Sequence, residues 1–490
     1  MSTGGRKEAG AYYTPDAVAA SLVRWAARRA SDRMLDPSCG DGRFVALHRN
    51  SVGIEQDAVA GRVAVERAPG CLVHEGDFFA WATHTVERFD CATGNPPFIR
   101  YQTFKGKMRD RALALCNKLG ASFSGLTSSW APFLVATASL LLPNGRMAFV
   151  VPAEIGHAPY AAPLLEYLVG HFGIVQVIAI REKLFPALSE DCWLLFAEGF
   201  GGSAREIRLA AVDRFEPTSL PPPPSLRVPV SEWRDLWKKR LRPFLLPEST
   251  RRLYRDVAER PDTWRFGDLA AIGIGYVSGA NEFFHLRPSE ANEWEIPAHF
   301  LHPTVRNSRV LPSGPLTMSI VEGWRRADEP ILLLRIAKDA PMLPDGVQRY
   351  LDSDDGHRAR GGYKCRMRDP WYSVPDVQIP DFFLTYMSGR EAALVRNDAG
   401  CTCTNSVHSV RLKDRDALPK LLDRWDSPLV RLSCEIEGHP LGGGLLKLEP
   451  REAAALLLPD AAPELSVASA LVREGIATMH AWRHYGDQPQ

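Results

Sequence analysis

Residues 33–55, RMLDPSCGDGRFVALHRNSVGIE, decide how the chain folds. Arg33-Met34-Leu35 is a short strand that runs into a tight turn, Asp36-Pro37-Ser38-Cys39-Gly40-Asp41-Gly42. One short helix follows, and Ser51–Glu55 reads as the next strand. A strand, a glycine-bearing turn, a helix and a second strand in so few residues form the repeating unit of a parallel sheet. Upstream, Thr14-Pro15 opens a helix, with Thr capping free N–H groups and Pro suited to the first turn. Val18, Leu22, Val23 and Trp25 then recur at helical spacing. Downstream, strands are expected at 71–73, 89–93, 147–151, 174–180 and 192–197, with helices between them, including 130–142 and 160–169. That alternation predicts an α/β fold, a Rossmann-like doubly wound parallel sheet with helices on both faces, over residues 1–218.

The rhythm breaks at Leu220-Pro221-Pro222-Pro223-Pro224. Four prolines in a row donate no ladder hydrogen bonds and favour an extended spacer, so residues 219–230 read as a proline-rich linker. A basic helical stretch follows, with Lys238, Lys239, Arg240, Arg242, Arg251, Arg252 and Arg255. From Phe266 onward the chain is rich in Arg, aromatics and turn residues. Residues 231–490 are therefore expected to form a second, α+β domain with a helical C-terminal part.

Composition narrows the function classes. The 490 residues carry 59 Lys and Arg against 58 Asp and Glu. A balance of +1 excludes a wholesale polycation but permits a locally basic groove. The nine cysteines form no C-x-x-C pair, which argues against a structural zinc site or a disulfide framework and for reduced thiols in the cytoplasm. The polar opening MSTGGRKEAG does not read as a secretory leader. The longest apolar run, 131–142, stops at Pro143-Asn144-Gly145 and is too short to span a bilayer. A soluble, cytoplasmic protein with no membrane contact and no metal is expected.

Four clusters in the first hundred residues carry chemistry. The turn at 36–42 lets backbone approach a ligand closely, but it lacks the Gly-Lys-Ser/Thr of a phosphate loop, and Asp36 and Asp41 suit a cationic ligand instead. Glu55 ends the next strand, where doubly wound folds accept hydrogen bonds from ribose hydroxyls. Asp77, after the following strand, is placed to accept from an adenine amino group while Phe78 packs on the ring. Finally, Phe89-Asp90-Cys91-Ala92-Thr93-Gly94 ends in the stiff turn Asn95-Pro96-Pro97-Phe98. Two prolines fix the backbone direction, so carbonyls can be aimed outside the chain. Asn95 adds a side-chain carbonyl and Phe98 a π-face, which together suit an exocyclic amino group on a base.

With Tyr12-Tyr13-Thr14-Pro15, this series of motifs resembles the gamma class of DNA adenine-N6 methyltransferases, the TaqI-like group of restriction-modification systems. Residues 275–284 (GYVSGANEFF), 363–372 (YKCRMRDPWY) and 438–444 (GHPLGGG) resemble that group's target-recognition half, so the likeness covers most of the chain. The resemblance implies S-adenosyl-L-methionine as cofactor. It places Tyr13 and Thr14 at the methionine end and Asp36 at its ammonium. Ser38, Gly40 and Pro97 join that cofactor set, with Glu55 at the ribose and Asp77 with Phe78 at the adenine. It makes Asn95, Pro96, Pro97 and Phe98 catalytic. Phe98 stands where Tyr is commoner, and Phe185 in Leu184-Phe185-Pro186 stacks on the other side of a flipped base.

The implied substrate is double-stranded DNA, contacted by Lys364, Arg366 and Arg368 beside Tyr363, Trp371 and Tyr372. The implied partner is a cognate restriction endonuclease, with the enzyme acting as a monomer. Cytosine N4, RNA or a protein Gln are alternative acceptors. Asn rather than Ser at the first motif position argues against cytosine, and the large second domain argues against the other two. A non-catalytic DNA-binding modification subunit is the alternative of another class, and the intact Asn95–Phe98 turn argues against it.

Overall fold

Met34–Asp36 (β1) forms a strand that is buried at every residue. In a computed structural model describing residues 14–485, apart from 187, 189, 341 and 461–467, β1 lies inside a nine-stranded sheet. Tyr13, one of the expected cofactor contacts, lies outside the described residues. The chain forms two compact units, Met1–Leu246 and Pro247–Gln490.

In the first unit, β1 pairs in parallel with Ser51–Glu55 (β2) on one side and Phe89–Gly94 (β4) on the other. Leu72–Glu75 (β3) pairs beyond β2, and Leu141–Pro152 (β5) beyond β4. Phe172–Ile180 (β6) and Cys192–Phe200 (β7) then enter in reversed order, giving β3-β2-β1-β4-β5-β7-β6 and, past β6, Glu206–Val212 (β8) and Leu226–Pro229 (β9). The fold is therefore the expected doubly wound α/β type, with departures at β7 and at the edge strand β9, which is antiparallel to β8. β7 runs antiparallel to both neighbours, so the sheet is mixed rather than purely parallel. Alternation of apolar runs cannot reveal this, because a central strand is apolar on both faces whichever way it points.

Helices pack as the hydrophobic pattern requires. Asp16–Ala26 (α1) buries Val18, Leu22, Val23 and Trp25. Its start lies one residue later than expected. Pro15 takes the capping position, no side chain caps the helix, and the Thr14 carbonyl instead accepts from Arg43 (3.1 Å). Trp130–Ala138 (α5) is buried at all nine positions, and the apolar run expected to be helical to 142 turns into β5 at Leu141. A helix apolar all round belongs in a core, which is where it sits.

The proline run is not an interdomain linker. It bridges β8 and β9 within the first unit, and β9 pairs antiparallel with β8. Prolines donate nothing, but their carbonyls accept, as Pro222 does from Gln176 Nε2 (2.6 Å), and Ser225 Oγ, just past the run, donates to the Leu209 carbonyl of β8 (3.1 Å). Thr218 is tied to α1 through the Trp25 indole N–H (3.2 Å). An extended run thus straps the sheet instead of leaving it, and the unit ends at Leu246 rather than at 218.

The second unit contains an antiparallel sheet of Ala270–Ile274, Val407–Leu412, Phe382–Thr385 and Leu394–Arg396 in that order, and a smaller mixed sheet built around Leu301–Val305. Helices Pro428–Glu437 and Ser469–Trp482 form its C-terminal part. They are joined by a buried Arg483–Glu435 pair at 2.8 Å.

One buried charge anchors the N-terminal end of β1. Asp32, 1% exposed, accepts from the Arg28 N–H (2.9 Å), the Arg29 N–H (3.1 Å) and the buried Arg146 guanidinium of β5 (3.2 Å). Burial alone would raise its pKa, but the Arg28 and Arg29 N–H groups and the Arg29 guanidinium (3.0 Å) hold the carboxyl below its ordinary value. Asp32→Ala leaves Arg146 buried without its carboxylate. It should destabilise the first unit by about 3–5 kcal/mol, read as a lowered urea midpoint with unchanged slope.

Candidate functional site

The strand order reverses direction between β1 and β4, and ligands of doubly wound sheets bind outside the carboxyl ends of the strands at such a point. Register puts Leu35 beside Ala92, so Asp36 and Gly94 end adjacent strands. They approach so closely that a Cβ at residue 94 would lie 2.7 Å from Asp36 Oδ1. Only glycine fits there.

Asp36 is fully buried. Oδ1 accepts from the Ser38 N–H (3.1 Å), while Oδ2 is buried and, among the described residues, has no hydrogen-bond partner. Burial, reinforced by the negative charges of Glu55 and Asp41, pushes this carboxyl up to about 8 despite the Ser38 bond. An unsatisfied buried oxygen on such a group is costly, and a cationic ligand is what would relieve it.

The turn after β1 is organised from β2. Cys39 N–H donates to the Ile54 carbonyl (2.9 Å) and Gly40 N–H to Glu55 Oε2 (2.9 Å), while Glu55 Oε1 accepts from the Asp57 N–H (2.8 Å). Gly42 has φ +84°, and a Cβ there would meet the Ala64 backbone at 2.7 Å. Asp41 is engaged by Arg67 (2.5 Å) and Arg43 (3.3 Å), and Arg43 also reaches the Thr14 carbonyl, bringing the start of α1 to the same turn. Thr14, Asp36, Ser38, Gly40 and Glu55 are thus assembled around one place.

Asp77 and Phe78 are not presented as expected. Asp77 Oδ1 caps Phe78–His84 (α3) through the Phe79 N–H (2.9 Å), and Oδ2 pairs with Arg111 (3.1 Å). Both oxygens are therefore engaged within the chain. Phe78 is 3% exposed and stacked on Phe133 of α5 (5.2 Å, 15°). The first residue of a helix that packs on the core turns its ring inward, so Phe78 offers no face to a ligand.

The Asn95–Phe98 turn follows β4 directly. Asn95 is half-buried, and its backbone carbonyl accepts from Ser38 Oγ (3.5 Å), which ties the two turns together. Ser129, fully buried at the start of α5, holds the other end. Its hydroxyl donates to the Pro97 carbonyl and accepts from the Ile99 N–H (3.0 Å), and its own N–H donates to the Ile99 carbonyl (3.0 Å). Pro97 is thereby a clamped element of the turn. Sequence reading missed Ser129, although a Ser-Ser pair before an apolar run is a helix-start signal that pointed to it. Half-buried Phe98 packs on an apolar cluster that includes Val18, Leu22, Phe44 and Phe185, so the two expected stacking rings share one surface. Phe185 is itself buried there, and Arg100, just past Phe98, pairs with Glu190 on the Phe185 side.

In the second unit, Lys364 and Arg366 are exposed. Arg368 is not available: its guanidinium donates to the carbonyls of Val277 and Ser278 (both 2.6 Å). Trp371 and Tyr372 pack against the core, leaving Tyr363 as the exposed ring of that segment. His408 is structural, its Nε2 lying 2.6 Å from the Leu448 carbonyl.

Residues 238–482 match the family model described as "Type II methyltransferase M.Eco57I, C-terminal domain", and residues 64–185 match "Eco57I restriction-modification methylase". Among curated proteins, the chain is similar to the type II methyltransferase M.XamI of Xanthomonas campestris pv. amaranthicola. The two are 24% identical over 479 residues, which cover 92% of this chain and 85% of that one. It is also 19% identical to M.AccI of Acinetobacter calcoaceticus, over 91% of this chain and 84% of that one. Among solved structures, the type IIG restriction endonuclease BpuSI aligns with a TM-score of 0.44 and 15% identity, covering 96% of this chain and 62% of its own.

The buried carboxylate makes a prediction that needs no ligand. Folded Asp36 keeps its proton up to about pH 8, whereas an ordinary Asp loses it near 3.8. Between those values the folded state binds more protons, so its contribution is full below pH 3.8 and is lost as pH rises through 8. Asp36→Asn should therefore raise the melting temperature at pH 8 by several degrees, each kcal/mol being worth about 2–4 °C in a unit of this size. The gain should vanish near pH 3.5, where both side chains are neutral. An equal effect at both pH values would mean that the carboxyl is not the strained group.

Proposed function

The chain belongs to the Eco57I-like family of type II restriction-modification methyltransferases, and on that premise we propose that it methylates N6 of adenine in double-stranded DNA. The observation that carries this reading is the pairing of Asp36 and Asn95 at the ends of adjacent strands, one a buried acid short of a partner, the other opening a clamped Asn-Pro-Pro-Phe turn.

The residues present fit S-adenosylmethionine. Asp36 would hold its ammonium, Glu55 its ribose, and Thr14, Ser38 and Gly40 complete the cradle. When bound, this cofactor supplies an electrophilic methyl group on a sulfonium. Adenine N6 is a poor nucleophile because its lone pair is delocalised into the ring. The Asn95 side-chain carbonyl and the Pro96 backbone carbonyl accept hydrogen bonds from its two N–H groups, which draws the nitrogen towards tetrahedral geometry and aims the lone pair. Positioning, rather than a covalent intermediate, supplies the acceleration.

The adenine must first leave the duplex, at a cost of a few kcal/mol. Half-buried Phe98 supplies one stacking face, and Phe185, buried in the same apolar cluster, backs it. Lys364 and Arg366 contact phosphates. The biological role is protection of host DNA beside a cognate restriction endonuclease, the methyltransferase working as a single copy in the cytoplasm.

Asn95→Ala removes an acceptor used as charge develops on nitrogen. It should cost roughly 3–4 kcal/mol, or about 10²–10³ in single-turnover methyl transfer, with cofactor and DNA binding retained. Phe98→Trp should keep appreciable activity and Phe98→Ala should not. Mass spectrometry of the modified base should find N6-methyladenine. An Asn95→Ala enzyme that methylates at the parent rate would remove this turn from the active site.

Ser129→Ala frees the Pro97 carbonyl and the Ile99 N–H from their clamp. Because it touches neither cofactor nor base in this reading, the single-turnover rate should fall about 10-fold or more while the cofactor dissociation constant holds, and Ser129→Thr should restore most of the rate. An equal loss of cofactor affinity would indicate general unfolding of the site instead.

A further inference from the structure

We infer that Tyr363 and Met367 form an apolar contact of the second unit with the bases of duplex DNA, flanked by the cations that hold its phosphates. The inference rests on the reading above and deepens it. Large apolar side chains exposed singly need no explanation, but these two lie one helical turn apart, 66% and 70% exposed, inside a run of unusual charge. From Gly356 to Arg368 the chain has five Lys and Arg residues and no carboxylate. Arg358 is engaged by Asp355 and Arg368 by backbone, whereas Arg360, Lys364 and Arg366 are exposed and, among the described residues, form no ion pair.

The patch is tied to the backbone beneath it, unlike a basic loop held by nothing. Arg368 donates twice to the 277–278 backbone, and Cys365 is fully buried with its thiol near the Ser278 carbonyl (3.9 Å). Gly279 has φ +86°, and a Cβ there would come within 2.9 Å of Lys364 Cβ, so the short helix Tyr363–Arg366 sits against bare backbone. Tyr363 and Met367 are held outward while Cys365 is held inward.

Cations alone would suit any anion, and an apolar pair alone any greasy surface. A ligand that needs both at a spacing of one helical turn has apolar faces alternating with phosphates, as stacked bases do. Proteins that press apolar side chains against a base step partly unstack it, which is the deformation that extrusion of an adenine requires. Tyr363 and Met367 are thus assigned the part of binding that salt does not screen, and Arg360, Lys364 and Arg366 the part that it does.

The test is fluorescence anisotropy of the full chain on duplex DNA carrying its methylation site, titrated with salt, with circular dichroism to check folding. A Tyr363→Ser, Met367→Ser double variant should bind about 10-fold more weakly or worse at every salt concentration, with the parent slope of log K against log salt. A Lys364→Gln, Arg366→Gln double variant should instead flatten that slope by about 1.8, since each phosphate left without its cation removes roughly 0.9. Parent affinity in the apolar double variant would overturn the inference. So would parent binding to phosphatidylserine vesicles that the apolar variant loses, or a parent dimer that the variant turns to monomer in sedimentation. If the unsubstituted chain binds no duplex DNA, the methyltransferase reading itself fails, whereas normal methylation with an inert patch overturns this inference alone.

Discussion

Asp36 and Gly94 can end side by side only because residue 94 lacks a side chain. Much of the first unit's chemistry depends on that contact. It buries a carboxylate at the switch point of the sheet, and it lets the turn after β1 and the turn after β4 approach until Ser38 reaches the Asn95 carbonyl. The cost is a charged group in a place where burial opposes its charge. A folded protein tolerates such a group when something it binds, or some reaction it runs, makes use of it. The groups nearby hold position: Glu55 bonds to backbone on both oxygens, and Ser129 clamps the proline turn from a helix with no exposed residue.

The parts of this arrangement that were legible in the sequence are those set by local chemistry. A strand ending in Asp-Pro-Ser-Cys-Gly, another ending in Glu and a third running into Asn-Pro-Pro-Phe announce the carboxyl edge of a parallel sheet, because those residue types suit strand ends and turns. Parts set by distant neighbours were not legible. Phe78 beside an acidic strand end suits a ligand as well as a core, and only Phe133 decides between them. Arg368 differs from Lys364 and Arg366 in nothing the sequence displays, yet two backbone carbonyls claim it. The antiparallel course of β7 and the capture of the proline run by Gln176 likewise depend on which surfaces meet.

The two units solve burial differently. In the first, the buried carboxyl and guanidinium groups of the sheet sit at its two ends, Asp32 with Arg146 at one and Asp36 at the other. The second threads polar networks through its interior. The Tyr276 hydroxyl joins His285 and Thr304 (both 2.7 Å), and Arg483, fully buried, grips Glu435 and the Gly444 carbonyl. Short strands and irregular segments leave more backbone carbonyls without ladder partners, and long donors such as Arg reach them.

The strap that carries the proline run across to β9 also settles where the first unit may be cut. β8 is a seven-residue strand whose outer edge is covered only by β9. A fragment ending at 218 would leave that row of N–H and C=O groups bare, and unpaired strand edges recruit other chains. β9 itself is short, carries Arg227 and ends at Pro229, which makes it a poor template for a tenth strand. The segment from 219 to 229 thus covers the edge of the sheet, and a fragment of the first unit that keeps this edge paired has to include it.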